Sequence, residues 1–133
     1  MRMAISFHGI TRSSAQQLRA MFNQQAARIG RHLGSFQEDL VRLEGHVEKI
    51  RNRRLYRVSL RLKLPSGVLA VGEEDHDLRA ILSKAFDELE RRTEKHMARL
   101  RGQHTWRRVA ERLAMADSRR PGRADEFGRA PSP

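Results

Sequence analysis

Cysteine is absent, which removes disulfides, thiolate metal sites and thiol nucleophiles and fits a reducing compartment. Aromatic residues are scarce, at 5% with a single Trp and a single Tyr, so a core built from this chain is thin and mostly aliphatic. No apolar run approaches the roughly 18 residues of a membrane span. The start, Met1 to His8, also lacks an apolar stretch of signal-peptide length, so secretion is not expected and the cytoplasm is the default location. The most informative absence is local: residues 1–33 hold five Arg and no Asp or Glu at all. Solvated helices ordinarily mix both signs for solubility and for i,i+4 pairing, so a helix built here on Arg, Gln and Asn reads as one kept clear of negative charge.

What is present is cationic. Lys and Arg number 27 against 16 Asp and Glu in 133 residues, a formal net charge of +11. Such an excess attracts polyanions, nucleic acid before an anionic membrane surface. The length suits one domain and a tail.

The elements follow from periodicity. Met3, Ile5 and Phe7 alternate with polar neighbours and predict a strand. Ser13 or Ser14 offers an N-cap, and Ala15, Leu18, Phe22, Ala26, Ile29 and Leu33 form the stripe of a helix ending near His32 or Leu33, with Gly34 just beyond it. The opposite face holds Gln17, Gln24, Arg28 and Arg31. Two alternating segments, Val41 to Val47 and Tyr56 to Leu64, flank a basic tip at Arg51, Arg53 and Arg54 and predict an antiparallel hairpin. Pro65-Ser66-Gly67 turns the chain into a short last strand, Val68 to Gly72.

A second helix is expected from a cap at Asp75, with Leu78, Leu82, Ala85, Leu89, His96 and Leu100 toward the core. On its helical wheel Asp87, Glu90 and Glu94 share one flank, and Lys84, Arg91, Lys95 and Arg99 line up on another. The macrodipole, which favours acids early and bases late, accounts for part of that pattern but not for its sideways segregation.

The order β-α-β-β-β-α predicts an α+β fold, a two-layer domain with a four-stranded sheet and both helices on one face. The first two strands should be parallel and the rest a meander, and Arg42, Glu44, Glu48, Arg57, Arg61 and Lys63 on the uncovered face should neutralise one another across strands. The domain is expected over residues 1–102. Residues 103–133 are expected to form a basic tail, with a short helix at 104–116 and disorder from Ser118 to Pro133. Trp106 in that tail could stack on a base or anchor the segment, and Tyr56 is expected in the core.

Catalytic readings find little support. His8, His32, His46, His76, His96 and His104 make neither HExxH nor HxH, and the glycines make neither dinucleotide nor P-loop patterns. Glu73-Glu74-Asp75-His76-Asp77 lacks the glycine and distal Glu of a calcium loop and reads as helix capping. No catalytic residue, metal site, cofactor or small-molecule substrate is expected, and an enzyme is the least favoured class.

The stretch Val71 to His96 is more specific. Its acidic cluster, Ala80-Ile81 and Asp87-Glu88-Leu89-Glu90-Arg91-Arg92 resemble the last strand and final helix of the ribosome hibernation promoting factors, the group that includes ribosome-associated translation inhibitors, protein Y and sigma-54 modulation proteins. The likeness covers about residues 3–101, including the strand order and the Pro65-Ser66-Gly67 turn. Leu78 stands where an aromatic is usual, Leu82 where Asp is, Glu88 where Lys is favoured and Arg92 where Gln is. The resemblance implies a short-form member, without the second domain of longer relatives, that sits in the decoding region of the small ribosomal subunit, contacts its RNA and blocks translation by occupancy. It implies RNA contacts from Lys84, Arg91, Arg92, Lys95 and Arg99 in the final helix. Charge and side-chain chemistry add Arg28 and Arg31 of the first helix, with the hairpin tip Arg51, Arg53 and Arg54 as a second contact. Two rival readings remain open from the residues: a general double-stranded RNA-binding module, and a protein-interaction adaptor in transcription regulation.

Overall fold

A computed structural model describes residues 1–117 apart from Asn52, and for 103–109, 111 and 115–117 only the helical backbone. Seven elements follow in order: β1 (Arg2–His8), α1 (Arg12–Gly30), a single 3-10 turn (Glu38–Leu40), β2 (Arg42–Ile50), β3 (Leu55–Leu64), β4 (Gly67–Asp75) and α2 (Leu78–Asp117). The chain divides into two compact units, Met1–Glu94 and a second that begins at Lys95. The expected domain boundary at 102 thus falls inside α2, which runs through Gly102 without a break and includes the short helix expected at 104–116. The segment expected to be disordered, and the side chain of Trp106, lie outside the described residues. No helix among the described residues is long and apolar enough to cross a membrane.

The sheet has the order β1-β2-β3-β4. β1 pairs parallel to β2 with Ile5 opposite Gly45, because the chain returns through α1. β2 and β3 pair antiparallel with Gly45 opposite Leu60, and β3 and β4 with Leu60 opposite Val71. Period-2 alternation puts Leu43, Val47, Val58, Leu60, Leu62 and Val71 on one face, all buried. Against them pack Leu18, Phe22, Ala26 and Ile29 of α1 and Ile81, Leu82, Ala85, Phe86 and Leu89 of α2. Phe22 and Phe86 meet edge to face with ring centroids 5.5 Å apart. Gly45 is what lets α1 approach the sheet: a Cβ there would lie 2.8 Å from Phe22 Cε2.

Several local expectations are corrected. Thr11 caps α1, its Oγ1 accepting from the Ser14 backbone N–H at 3.3 Å, ahead of the expected Ser13 or Ser14 in the sequence. α1 ends at Gly30 rather than near Leu33, on a C-cap Arg31 of ordinary right-handed conformation, so Gly34 does not serve as the helix stop. β4 is longer than expected: Glu73, Glu74 and Asp75 extend the strand, Arg57 lying opposite Glu74. The capping carboxylate of α2 is therefore Asp77, whose Oδ1 accepts from the backbone N–H of Arg79 at 3.0 Å and of Ala80 at 3.3 Å. Gly67 opens β4 at φ +148°, a conformation that suits glycine in the tight reversal after Pro65. Tyr56 is half-buried rather than a core residue.

The buried stripe of α2 is also rotated from the expected one. Ile81, Phe86 and Thr93 join Leu82, Ala85 and Leu89 in the core, while His96 and Leu100 are half-exposed. Thr93, fully buried, satisfies its hydroxyl by donating to the Leu89 carbonyl at 2.7 Å.

Candidate nucleic-acid interface

Three surfaces carry most of the charge among the described residues, and they pair it to different degrees. The uncovered sheet face is largely paired across strands, though Arg61, opposite Glu44, makes no ion pair or hydrogen bond of its own among the described residues. Glu44 accepts Arg42 at 2.9 Å and Lys63 at 3.1 Å, and Arg57 bridges Glu48 at 3.3 Å and Glu74 at 2.6 Å. The Lys63 hydrogen bond lowers the Glu44 pKa, and the Glu74 hydrogen bond raises that of Arg57. On the same face Ser6 Oγ lies 2.8 Å from His46 Nδ1, while Glu48 stands 3.9 Å from His46 Nε2, beyond hydrogen-bond reach. A hydroxyl and an imidazole in contact, without a bonded carboxylate to orient the ring, do not complete a nucleophilic triad.

The second surface is the seam between α1 and α2. The acidic flank of α2 faces α1. Arg28 reaches Glu90 at 3.0 Å and Asp87 at 3.3 Å, and receives a further acceptor from Gln25 at 2.6 Å on its own helix. The Glu90 hydrogen bond holds the Arg28 pKa above its ordinary value. His32, just past the end of α1, lies 3.6 Å from Glu90 and 3.5 Å from Glu94. The carboxylate-free stretch is thus not kept clear of negative charge at its C-terminal end; α2 supplies there the carboxylates that residues 1–33 lack. Arg28, expected at the RNA, is engaged with acids in the seam, whereas the Arg31 side chain is exposed with no ion pair or hydrogen bond among the described residues.

The third surface is the outward flank of α2. Lys84 is exposed and unpaired among the described residues. Arg91 and Arg92 are exposed as well, but both close on Glu88, at 2.8 Å and 3.0 Å. Arg92 also donates to the Ala70 carbonyl of β4 at 2.5 Å, fixing its guanidinium against the sheet edge. The Arg91 and Arg92 hydrogen bonds bring the Glu88 carboxyl down to about 2, and Glu88 in turn raises the Arg91 pKa. The expected segregation of acids from bases therefore fails at one residue. Glu88 lies on the same side of the wheel as Lys84 and Arg91 and interrupts their line. Lys95 and Arg99 belong to the second unit and are exposed there.

At the hairpin tip Arg51, Arg53 and Arg54 are exposed, and the Arg54 carbonyl accepts from His76 Nδ1, tying the tip's base to the turn before α2. Sequence reasoning missed Arg79. It reaches Gln17 Oε1 of α1 at 3.4 Å across an open groove of about 500 Å³ lined also by Met21, Gln24 and Gln25. Its position in the first turn of α2, next to the acid-flank positions on the wheel, is the signal that points it at α1.

The fold matches solved structures at low sequence identity. It superposes on the N-terminal domain of protein Y from Thermus thermophilus with a TM-score of 0.55 at 23% identity, covering 72% of this chain and 99% of that one. It superposes on a ribosomal subunit interface protein from Coxiella burnetii with a TM-score of 0.50 at 18% identity, covering 74% and 99%. No curated protein matches in sequence. Residues 4–101 match the family described as sigma 54 modulation protein / S30EA ribosomal protein, and on that match the chain belongs to this family of ribosome-associated hibernation and translation-inhibitor proteins, which are not enzymes.

Proposed function

We propose that this protein binds the small ribosomal subunit in the cytoplasm, contacts its RNA in the decoding region and inhibits translation by occupying that site. The observation that carries this reading is the outward flank of α2, where Lys84, Arg91 and Arg92 are exposed and Glu88 is shared by the two arginines, while most charges of the sheet face and the seam are paired. Arg31, and Lys95 and Arg99 of the second unit, are further exposed cations that this reading assigns to RNA, and Arg51, Arg53 and Arg54 supply the second contact. Arg28 acts on RNA only indirectly, by holding α1 against α2. Each phosphate neutralised by such a side chain releases condensed counterions, so the affinity is strong at low salt and falls steeply as salt rises. Forked guanidinium donors suit phosphate oxygens, and no sequence-specific readout is needed.

The test is co-sedimentation with ribosomal subunits of a variant carrying Arg91→Glu, Lys95→Glu and Arg99→Glu. Loss of small-subunit binding with an unchanged circular dichroism spectrum is the expected result. Undiminished binding overturns the surface assignment. Equal affinity for unrelated RNA duplexes and for intact small subunits at matched salt overturns the decoding-region reading in favour of general duplex binding.

A further inference from the structure

Histidine spacing along the chain shows no metal motif, yet the fold gathers one. His32 follows the end of α1, and Glu90 and Glu94 stand one turn apart on α2. The His32 Nε2 atom is 3.6 Å from Glu90 Oε2 and 3.5 Å from Glu94 Oε1, and the three candidate ligand atoms lie within 4.8 Å of one another. Four-coordinate zinc with nitrogen and oxygen ligands at about 2.0–2.1 Å sets its ligands roughly 3.4 Å apart. Two of the three separations are already near that value. The third is no more than 4.8 Å, and the Glu94 side chain, 55% exposed, has room to turn.

Charge argues the same way. Asp87, Glu90 and Glu94 bring three negative charges to the seam, and Arg28 answers with one positive, leaving two unbalanced when His32 is neutral. A divalent cation cancels them, whereas protonating His32 cancels only one. Glu90 is prepared for the role: its Oε1 accepts from Arg28 at 3.0 Å, which fixes the carboxylate and leaves Oε2 toward His32. That is the outer-shell arrangement by which metal ligands are oriented.

We propose that His32, Glu90 and Glu94 bind one zinc ion, with water completing the shell through the solvent-open side. The ion ties the C-terminal end of α1 to α2 and removes the residual negative charge beside the cationic flank.

The test uses the full chain without a histidine tag, freed of metal by chelation and titrated with zinc chloride by calorimetry and thermal unfolding. One zinc per chain should bind with a dissociation constant of about 10 μM or tighter, and saturation should raise the unfolding temperature by roughly 5 °C or more. His32→Asn and Glu94→Gln should each weaken binding at least about tenfold and remove most of that rise, whereas His46→Asn leaves both unchanged. X-ray absorption of the wild-type zinc complex should show one imidazole in a nitrogen and oxygen shell, and zinc should shift the His32 ring resonances. These two spectra decide the matter even if a variant fails to fold. No binding by the wild-type chain, undiminished binding by both variants, or His32 resonances unmoved by zinc overturns the site.

Discussion

The two flanks of α2 use charge for different ends. Toward α1, Asp87 and Glu90 meet Arg28 and join the two helices, which also meet through Phe22 and Phe86. Away from α1, Lys84 stands unpaired among the described residues, and Arg91 and Arg92 share a single carboxylate. One carboxylate serving two guanidiniums leaves net positive charge outward, while the seam carries net negative charge. The difference teaches that a cation's place on a helical wheel does not decide its role. What decides it is which element packs against that side of the helix: Arg28 lies on the face opposite the apolar stripe's centre and still turns into a helix–helix bridge.

The comparison breaks first if the helices are not packed as described, so the largest effect concerns the buried contact between them. Phe22→Ala removes a fully buried ring that rests on Gly45 and meets Phe86. It should cost about 3–5 kcal/mol in denaturant unfolding. A loss well under 1 kcal/mol would mean that α1 does not seat on the sheet at that point. Next in size is a paired test of the flanks. Arg28→Ala should cost about 0.5–1 kcal/mol, since its ion pairs are partly exposed, and leave ribosome binding nearly intact. Lys84→Ala should do the opposite, leaving stability unchanged and reducing the salt dependence of ribosome binding by about one phosphate contact. If both variants behave alike, the two flanks are not functionally distinct.

Much of this was readable along the chain, for physical reasons that differ by residue. The strands were legible because alternation at Leu43, Val47, Val58, Leu60 and Leu62 is a local signal that survives into the buried face of the sheet. The largely paired outer face was legible because strand register places Glu48 opposite Arg57 and Lys63 diagonally from Glu44 once the hairpin is recognised. The helix caps were less so: Thr11 and Asp77 each compete with polar neighbours two or three residues away, and hydroxyl or carboxyl chemistry alone does not choose among them. The seam was not legible, since the pairing of Arg28 with Glu90 depends on the azimuth of both helices. The rotation of the α2 stripe toward Ile81, Phe86 and Thr93 shows how far that azimuth departs from the one drawn through His96 and Leu100. Glu88 is the exception, a residue whose position on the wheel already placed it among the bases, next to Arg91 and Arg92 at the three- and four-residue spacings that favour ion pairs.

Glu88 also sharpens the comparison, because among the described residues it is the one acid on the outward flank. Glu88→Gln releases Arg91 and Arg92 for phosphate and should tighten small-subunit binding by about threefold at low salt, with a steeper salt dependence. Unchanged or weaker binding would show that Glu88 positions the two guanidiniums rather than competing for them.

The smallest effect is a titration. In the folded chain hydrogen bonds from Arg91 and Arg92 hold the Glu88 carboxyl at about 2, below the roughly 4.3 of an unperturbed glutamate. A depressed folded value means that the charged form is preferred by the native state. Its contribution to stability is therefore fully present above about pH 4.3 and is lost as the pH falls through about 2. Carbon-detected magnetic resonance should follow the Glu88 side-chain carboxyl to a midpoint near 2. Arg91→Gln and Arg92→Gln should each move that midpoint upward, the first by more, because the Arg91 hydrogen bond is the larger cause. A midpoint at the ordinary glutamate value in the wild-type chain would mean that the two arginines are already free in solution, and that the basic line along α2 is not interrupted by Glu88.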